Sequence, residues 1–163
     1  MNKQTKTPEI KDAFLGRHLE NLSQLIEQQS KNVFDYENIQ VPVKSCSTFM
    51  CIGRHDEISS ADIARELGIS HQLVKQKLTH LLKLDLISVD ADPIDKRRRL
   101  LKQTAKGKTQ HTKLLELLPK FEAVYEALYT SLEFRLIEKL ELFRSELVST
   151  PLFERAQFSN KQR

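Results

Sequence analysis

Apolar residues recur along the chain with two different periods, and the changes of period divide it. From Pro8 to Ser30, Leu15, Leu19, Leu22, Leu25 and Ile26 fall on one stripe at helical spacing. The other face of that segment is polar, which predicts an amphipathic helix in need of a partner surface. Over Lys31–Val41 the period is lost, and the stretch reads as a loop anchored by Phe34 and Tyr36. Pro42 suits the first turn of a second helix, Val43–Gly53.

The stretch from Glu57 onward says most. Ser59 followed by Asp62 is a capping-box-like start, with a carboxylate near the positive end of the helix dipole. Ile63, Ala64 and Leu67 form the inner face of this helix, and Gly68 supplies the backbone freedom for a sharp stop. Ile69 packs into the corner, and Ser70 is an N-cap for a helix running from His71 to about Leu84. In it Val74, Leu78 and Leu81 recur at helical spacing, which leaves His71, Gln72, Lys75, Gln76 and Thr79 facing outward. Helix, short glycine turn, helix is the helix-turn-helix pattern.

After Asp85 the period shortens. Leu86, Ile87 and Val89 make a β-prone run, Asp90–Asp95 supplies turn residues around Pro93, and Arg98–Gln103 returns as a second strand. The hairpin carries Lys96–Arg99 near its tip, as a wing does. Thr104 then caps a long helix with Leu114, Leu117, Leu118, Phe121, Val124 and Leu128, and Pro119 inside it predicts a kink or a break. A last helix is expected over Ser131–Leu147, and the tail after Pro151 offers Leu152 and Phe153 before it turns polar. The fold class is therefore mainly α, a winged helix-turn-helix with a small β-hairpin wing between long N- and C-terminal helices.

Charge sharpens this picture. Between His71 and Gln110 ten Lys/Arg stand against four Asp, a local +6 within a chain of net +4. Such a concentration suits a polyanion, because each neutralised phosphate releases counterions; the alternative is a solvated basic face. No run approaches the length of a membrane span, and Met1–Glu9 lacks the apolar stretch of a secretory signal, so a cytoplasmic protein is expected. With 163 residues, one well-buried core is feasible and two full domains would be cramped.

The segment Ile58–Lys108 resembles the winged helix-turn-helix of the MarR family. Three pieces carry the resemblance: ADIARELGIS for the first helix and turn, LLKLDLI for entry to the wing, and DPIDKRRRLLKQTAKG for the wing and the next helix start. Asp85 departs from the family's usual glycine, and Gln103 from its usual apolar strand residue. The resemblance implies a single domain over 1–163, with helices of 8–42 and 109–158 joining two copies and a DNA-binding lobe over 43–108. It also implies a homodimeric regulator, expected as a repressor of a pseudo-palindromic operator and released by a small-molecule effector bound between helices and lobes.

A recognition helix meets base edges with its N-terminal residues, here His71, Gln72, Lys75 and Gln76. Glutamine pairs bidentately with adenine, and lysine suits the guanine acceptors. By resemblance Arg97 is the wing-tip arginine, whose guanidinium fits a narrow minor groove. Asp95 is placed to hold Arg97, and Lys96, Arg98 and Arg99 are assigned to phosphates. Ser59, Ser70 and Thr104 read as caps; Lys77 and Lys83 read either as backbone contacts or as solvated charges.

No cofactor is expected. The five His are read as forming no HxxxH pair and no His/Cys cluster with ligand spacing, which speaks against structural zinc. Cys46 and Cys51, about 140° apart around a helix, read as small core hydrophobes; redox sensing is the alternative and requires an activated thiol. An adaptor that keeps the winged fold without reading DNA is the other alternative. No Ser/His/Asp set, phosphate loop or carboxylate pair points to an enzyme.

Overall fold

A short N-terminal 3-10 turn, Asp12–Phe14, leads into α1 (Leu15–Tyr36), and from there the helical stripe read from the sequence takes its place. The computed structural model describes residues 12–94 and 98–160, apart from the side chains of residues 158–160. The chain divides into two compact units, residues 1–115 and 116–163.

In the first unit α1 continues six residues past Ser30, through most of the expected loop. Nothing in KNVFDY breaks a helix, and Lys31 and Asp35 pair across one turn at 2.5 Å. The stop comes at Asn38, in the left-handed region at φ 55°, where the Ile39 N–H donates to the Phe34 carbonyl at 2.8 Å. Phe34 is buried as expected, but Tyr36 is 84% exposed and anchors nothing. The second helix is present, with a 3-10 first turn (Val43–Ser45) before α2 (Cys46–Gly53).

α3 (Ser60–Leu67) and α4 (His71–Lys83) form the expected pair. Gly68 ends α3 at φ 62°, and the Ile69 N–H donates to the Ala64 carbonyl at 3.1 Å. Ile63 and Ala64 from α3 and Val74, Leu78 and Leu81 from α4 are buried with Phe49 and Ile52 of α2. The sheet has one strand more than the expected hairpin. β1 (Ile58–Ser59), β2 (Ile87–Ala91) and β3 (Arg99–Gln103) lie antiparallel in the order β1-β3-β2. In register, Leu101 faces Ile58 on one side and Val89 on the other. Two residues carry no period of their own, which is why β1 was not legible.

α5 (Ala105–Leu132) starts in this unit. Its entry is a tight knot. Asp85 sits at φ 57°, its carbonyl accepts from the Thr104 hydroxyl at 2.8 Å, and Thr104 Oγ1 accepts from the Gly107 N–H at 2.9 Å. Pro119 lies inside α5 without breaking it, contrary to one half of the expectation. The proline removes one N–H from the ladder, and the carbonyl it would have met, on Leu115, belongs to an exposed residue that water can reach. The boundary between the two units falls at that same turn.

In the second unit α5 runs on to Leu132, and Glu133 at φ 58° ends it. α6 is therefore Leu136–Ser149, later than the expected Ser131 start, and a further helix, α7 (Leu152–Asn160), occupies the tail. Arg135 joins α5 to α6, pairing with Glu126 at 2.7 Å and Glu138 at 2.9 Å and lying over the Tyr129 ring at 5.1 Å. Among the described residues no helix is long and apolar enough to cross a membrane.

The α5 entry yields a test. A Cβ at Gly107 would run into the backbone carbonyl of Leu86, which cannot move without disturbing β2. Gly107→Ala is expected to destabilise the protein by about 1–3 kcal/mol, the usual cost of overpacking. Thermal melts of both proteins check this; an unchanged melting temperature would contradict the packing described.

Candidate nucleic-acid interface

The two serine caps set the helix directions from which the candidate interface is built. Ser59 Oγ accepts from the Asp62 N–H at 3.2 Å, and Ser70 Oγ accepts from the Leu73 N–H at 3.2 Å. With Val74, Leu78 and Leu81 turned into the core, the opposite side of α4 must face outward. His71, Gln72, Lys75 and Gln76 are all exposed there, at positions i, i+1, i+4 and i+5 of its first two turns. None of these four side chains is engaged by another described residue. The face is thus apolar behind and carries free donors and acceptors in front.

Next to it stands the wing. Asp92 is buried at the turn entry, its Oδ1 accepts from the Ile94 N–H at 2.8 Å, and its own N–H donates to the Arg98 carbonyl at 3.1 Å. Asp95, Lys96 and Arg97 lie outside the described residues. At the turn end of the hairpin, Arg99 is exposed and opposite Ala91. Arg98 turns back to the protein: its guanidinium pairs with Asp62 Oδ2 and reaches Ser59 Oγ at 3.5 Å. Asp62 also receives Ser59 Oγ at 2.6 Å and Arg65 at 3.0 Å. The Ser59 hydrogen bond first, and the Arg98 bond next, hold the Asp62 carboxyl down at about 2. The turn end of the wing is thereby tied to the N-terminus of α3.

Residues 40–98 match the model of the MarR family. Over that segment the chain is similar to the MarR family. MepR of S. aureus, solved in complex with DNA, is similar in structure at a TM-score of 0.64 and 17% identity, covering 83% of this chain and 96% of MepR. The adhesin competence repressor AdcR of Streptococcus pyogenes gives 0.55 at 21% identity, covering 86% and 98%. The crystal structure of MarR gives 0.53 at 19% identity, covering 85% and 96%. At these identities the likeness is one of fold. No curated protein sequence matches this chain.

Both departures from the MarR pattern have a structural explanation. Asp85 takes the left-handed conformation that the usual glycine would. Gln103 turns its amide inward, donating to the Phe49 carbonyl at 3.1 Å and to His111 Nδ1 at 2.8 Å. A polar strand residue thus satisfies a carbonyl near the end of α2, and burial pulls the His111 pKa down.

Other expectations need correction. Lys77 is neither solvated nor free for a phosphate: it is half-buried and donates to the Lys44 carbonyl. Both cysteines are free; Cys51 is buried and Cys46 half-buried, and burial pushes both thiols up, Cys46 to about 11. That is the reverse of the lowered pKa a redox sensor requires. The reading that no His/Cys set has ligand spacing also fails. Cys51 and His55 stand four residues apart, and the fold brings Glu66 to them. The spacing was there to be seen in the sequence; the third member was not.

The Asp62 tie gives a pH signature. Its pKa is lowered in the folded state, so its contribution is complete above the ordinary carboxylate value of 3.8 and is lost as pH falls towards about 2. Asp62→Asn should melt below the parent at neutral pH, with the gap closing between about pH 4 and pH 2. A gap that is constant down to pH 2 would contradict the tie.

Proposed function

We propose that this protein is a homodimeric, sequence-specific DNA-binding transcription regulator that acts by occupying a pseudo-palindromic operator. The observation that carries the reading is the outer face of α4, where His71, Gln72, Lys75 and Gln76 are exposed and engaged by no other described residue, on a helix whose other side is locked in the core. These four are assigned to base edges in the major groove. Arg97, with Asp95 orienting it, is assigned to the minor groove beside it, and Lys96 and Arg99 to phosphates. Arg98, assigned to phosphates from the sequence, also holds the turn end of the wing through Asp62 and lends its remaining donors to the DNA backbone. The solved complex of MepR with DNA supports this assignment by fold.

Homodimerisation is supported by surfaces that a lone chain leaves wet. On α1, Leu15, Leu19, Leu22, Leu25 and Ile26 are exposed along one stripe. In the second unit Val124, Leu128, Ile137, Phe143 and Phe153 are exposed as well. Apolar surface on this scale marks an interface, and helices of residues 8–42 and 109–158 from two copies cover each other in this reading. Repression follows from occlusion of a promoter, and release from a small effector bound between the dimerisation helices and the lobes. The protein works in the cytoplasm, with duplex DNA, its own second copy and that effector as partners.

The test is binding of the purified protein to duplex DNA from its own upstream region and to a scrambled duplex, across a salt series. The upstream duplex is expected to bind at least about 10³-fold tighter at physiological salt, with log K falling steeply against log salt. Gln72→Ala and Gln76→Ala should each erode that preference by about 1–3 kcal/mol. Arg99→Ala should weaken both duplexes alike and flatten the slope by about one. Absence of binding to any duplex at low salt would overturn the reading and leave the adaptor.

A further inference from the structure

We propose that Cys51, His55 and Glu66 form a binding site for a divalent transition metal of zinc type at the corner between α2 and α3. Cys51 is in the last turn of α2, His55 lies just beyond its end, and Glu66 is in the last turn of α3. One donor atom from each (the thiol sulfur, an imidazole nitrogen and a carboxylate oxygen) lies within 4.8 Å of the other two. His55 Nε2 already stands 2.9 Å from Glu66 Oε2. Bonds of about 2.0–2.3 Å in tetrahedral geometry separate donors by roughly 3.3–3.7 Å, so small side-chain rotations bring all three to one ion.

The donor set selects the metal. Thiolate, imidazole and carboxylate together suit zinc, whereas magnesium and calcium call for oxygen alone. Three protein ligands leave a fourth position for water. The surroundings fit an ion as well. Arg54 Nη2 holds Glu66 Oε1 at 2.6 Å, which leaves Oε2 for the metal and fixes the carboxylate from outside. His55 and Glu66 are both exposed, so an ion can reach these two ligands from solvent. Binding expels the thiol proton, so Cys51 is a ligand as thiolate and the ion takes the place of the His55–Glu66 hydrogen bond. A metal here clamps α2 to the helix that precedes Gly68 and α4, independently of whether α4 reads DNA.

The test is titration of the metal-free full chain with Co²⁺, followed by displacement with Zn²⁺. One Co²⁺ per chain should give a thiolate-to-cobalt charge-transfer band in the near ultraviolet, with a proton released on binding. Cys51→Ser should abolish the band, and Cys46→Ser should leave it as in the parent. His55→Gln and Glu66→Gln, both on exposed residues, should weaken binding by at least about tenfold. Zinc should raise the melting temperature of the parent and not of these variants. Absence of the band in the folded parent would overturn the proposal. So would a band that survives Cys51→Ser, or affinities untouched by His55→Gln and Glu66→Gln.

Discussion

The packing of α4 into its own lobe is the constraint on which the rest of the structure depends. Val74, Leu78 and Leu81 are buried against α2 and α3, and a helix whose one stripe is fixed has no freedom left for the other. Burying a side chain of this size favours folding by about 1.5–3 kcal/mol, so rotating the helix would forfeit more than a typical polar contact gives. The four exposed side chains at its start are therefore oriented by the core behind them. The caps at Ser59 and Ser70 and the glycine turn between them set where each helix begins.

The wing is attached to this lobe by polar ties. Arg98 reaches Asp62, Lys102 pairs with Asp90 at 2.6 Å, and Thr104 and Gly107 lock the end of β3 to the start of β2. Arg98 illustrates how a basic run divides its labour. One member, Arg98, anchors the turn end of the hairpin to α3, and its neighbour Arg99 is left exposed. Surface ion pairs contribute little to stability individually. Here their consequence is positional: they hold the hairpin against the N-terminus of α3.

The parts legible in the sequence were those written locally. The α3–α4 pair and both long wing strands followed from caps, one glycine and a change of period, and the structure places them within a residue or two. What was missed is written non-locally or in too few residues. β1 is two residues long, and only Leu100 and Leu101 across from it define it as a strand. α1 ran on past Ser30 because its polar last turns lack an apolar stripe yet contain nothing to stop a helix. The Arg98–Asp62 pair, 36 residues apart, and the arrival of Glu66 beside Cys51 and His55 depend on the tertiary fold. Pro119 shows the converse, a local signal for a break that α5 nonetheless runs through.

Hydroxyl-radical and methylation footprinting of the protein on its operator tests the account most directly, because α4 and the wing leave different marks. The account predicts two major-groove half-sites on one face of the duplex, centred about 10 bp or a multiple of it apart, each flanked by minor-groove protection that is lost with Arg97→Ala. A single unpaired footprint, or protection confined to the backbone with open major grooves, would contradict the claim that α4 of two copies reads the sequence.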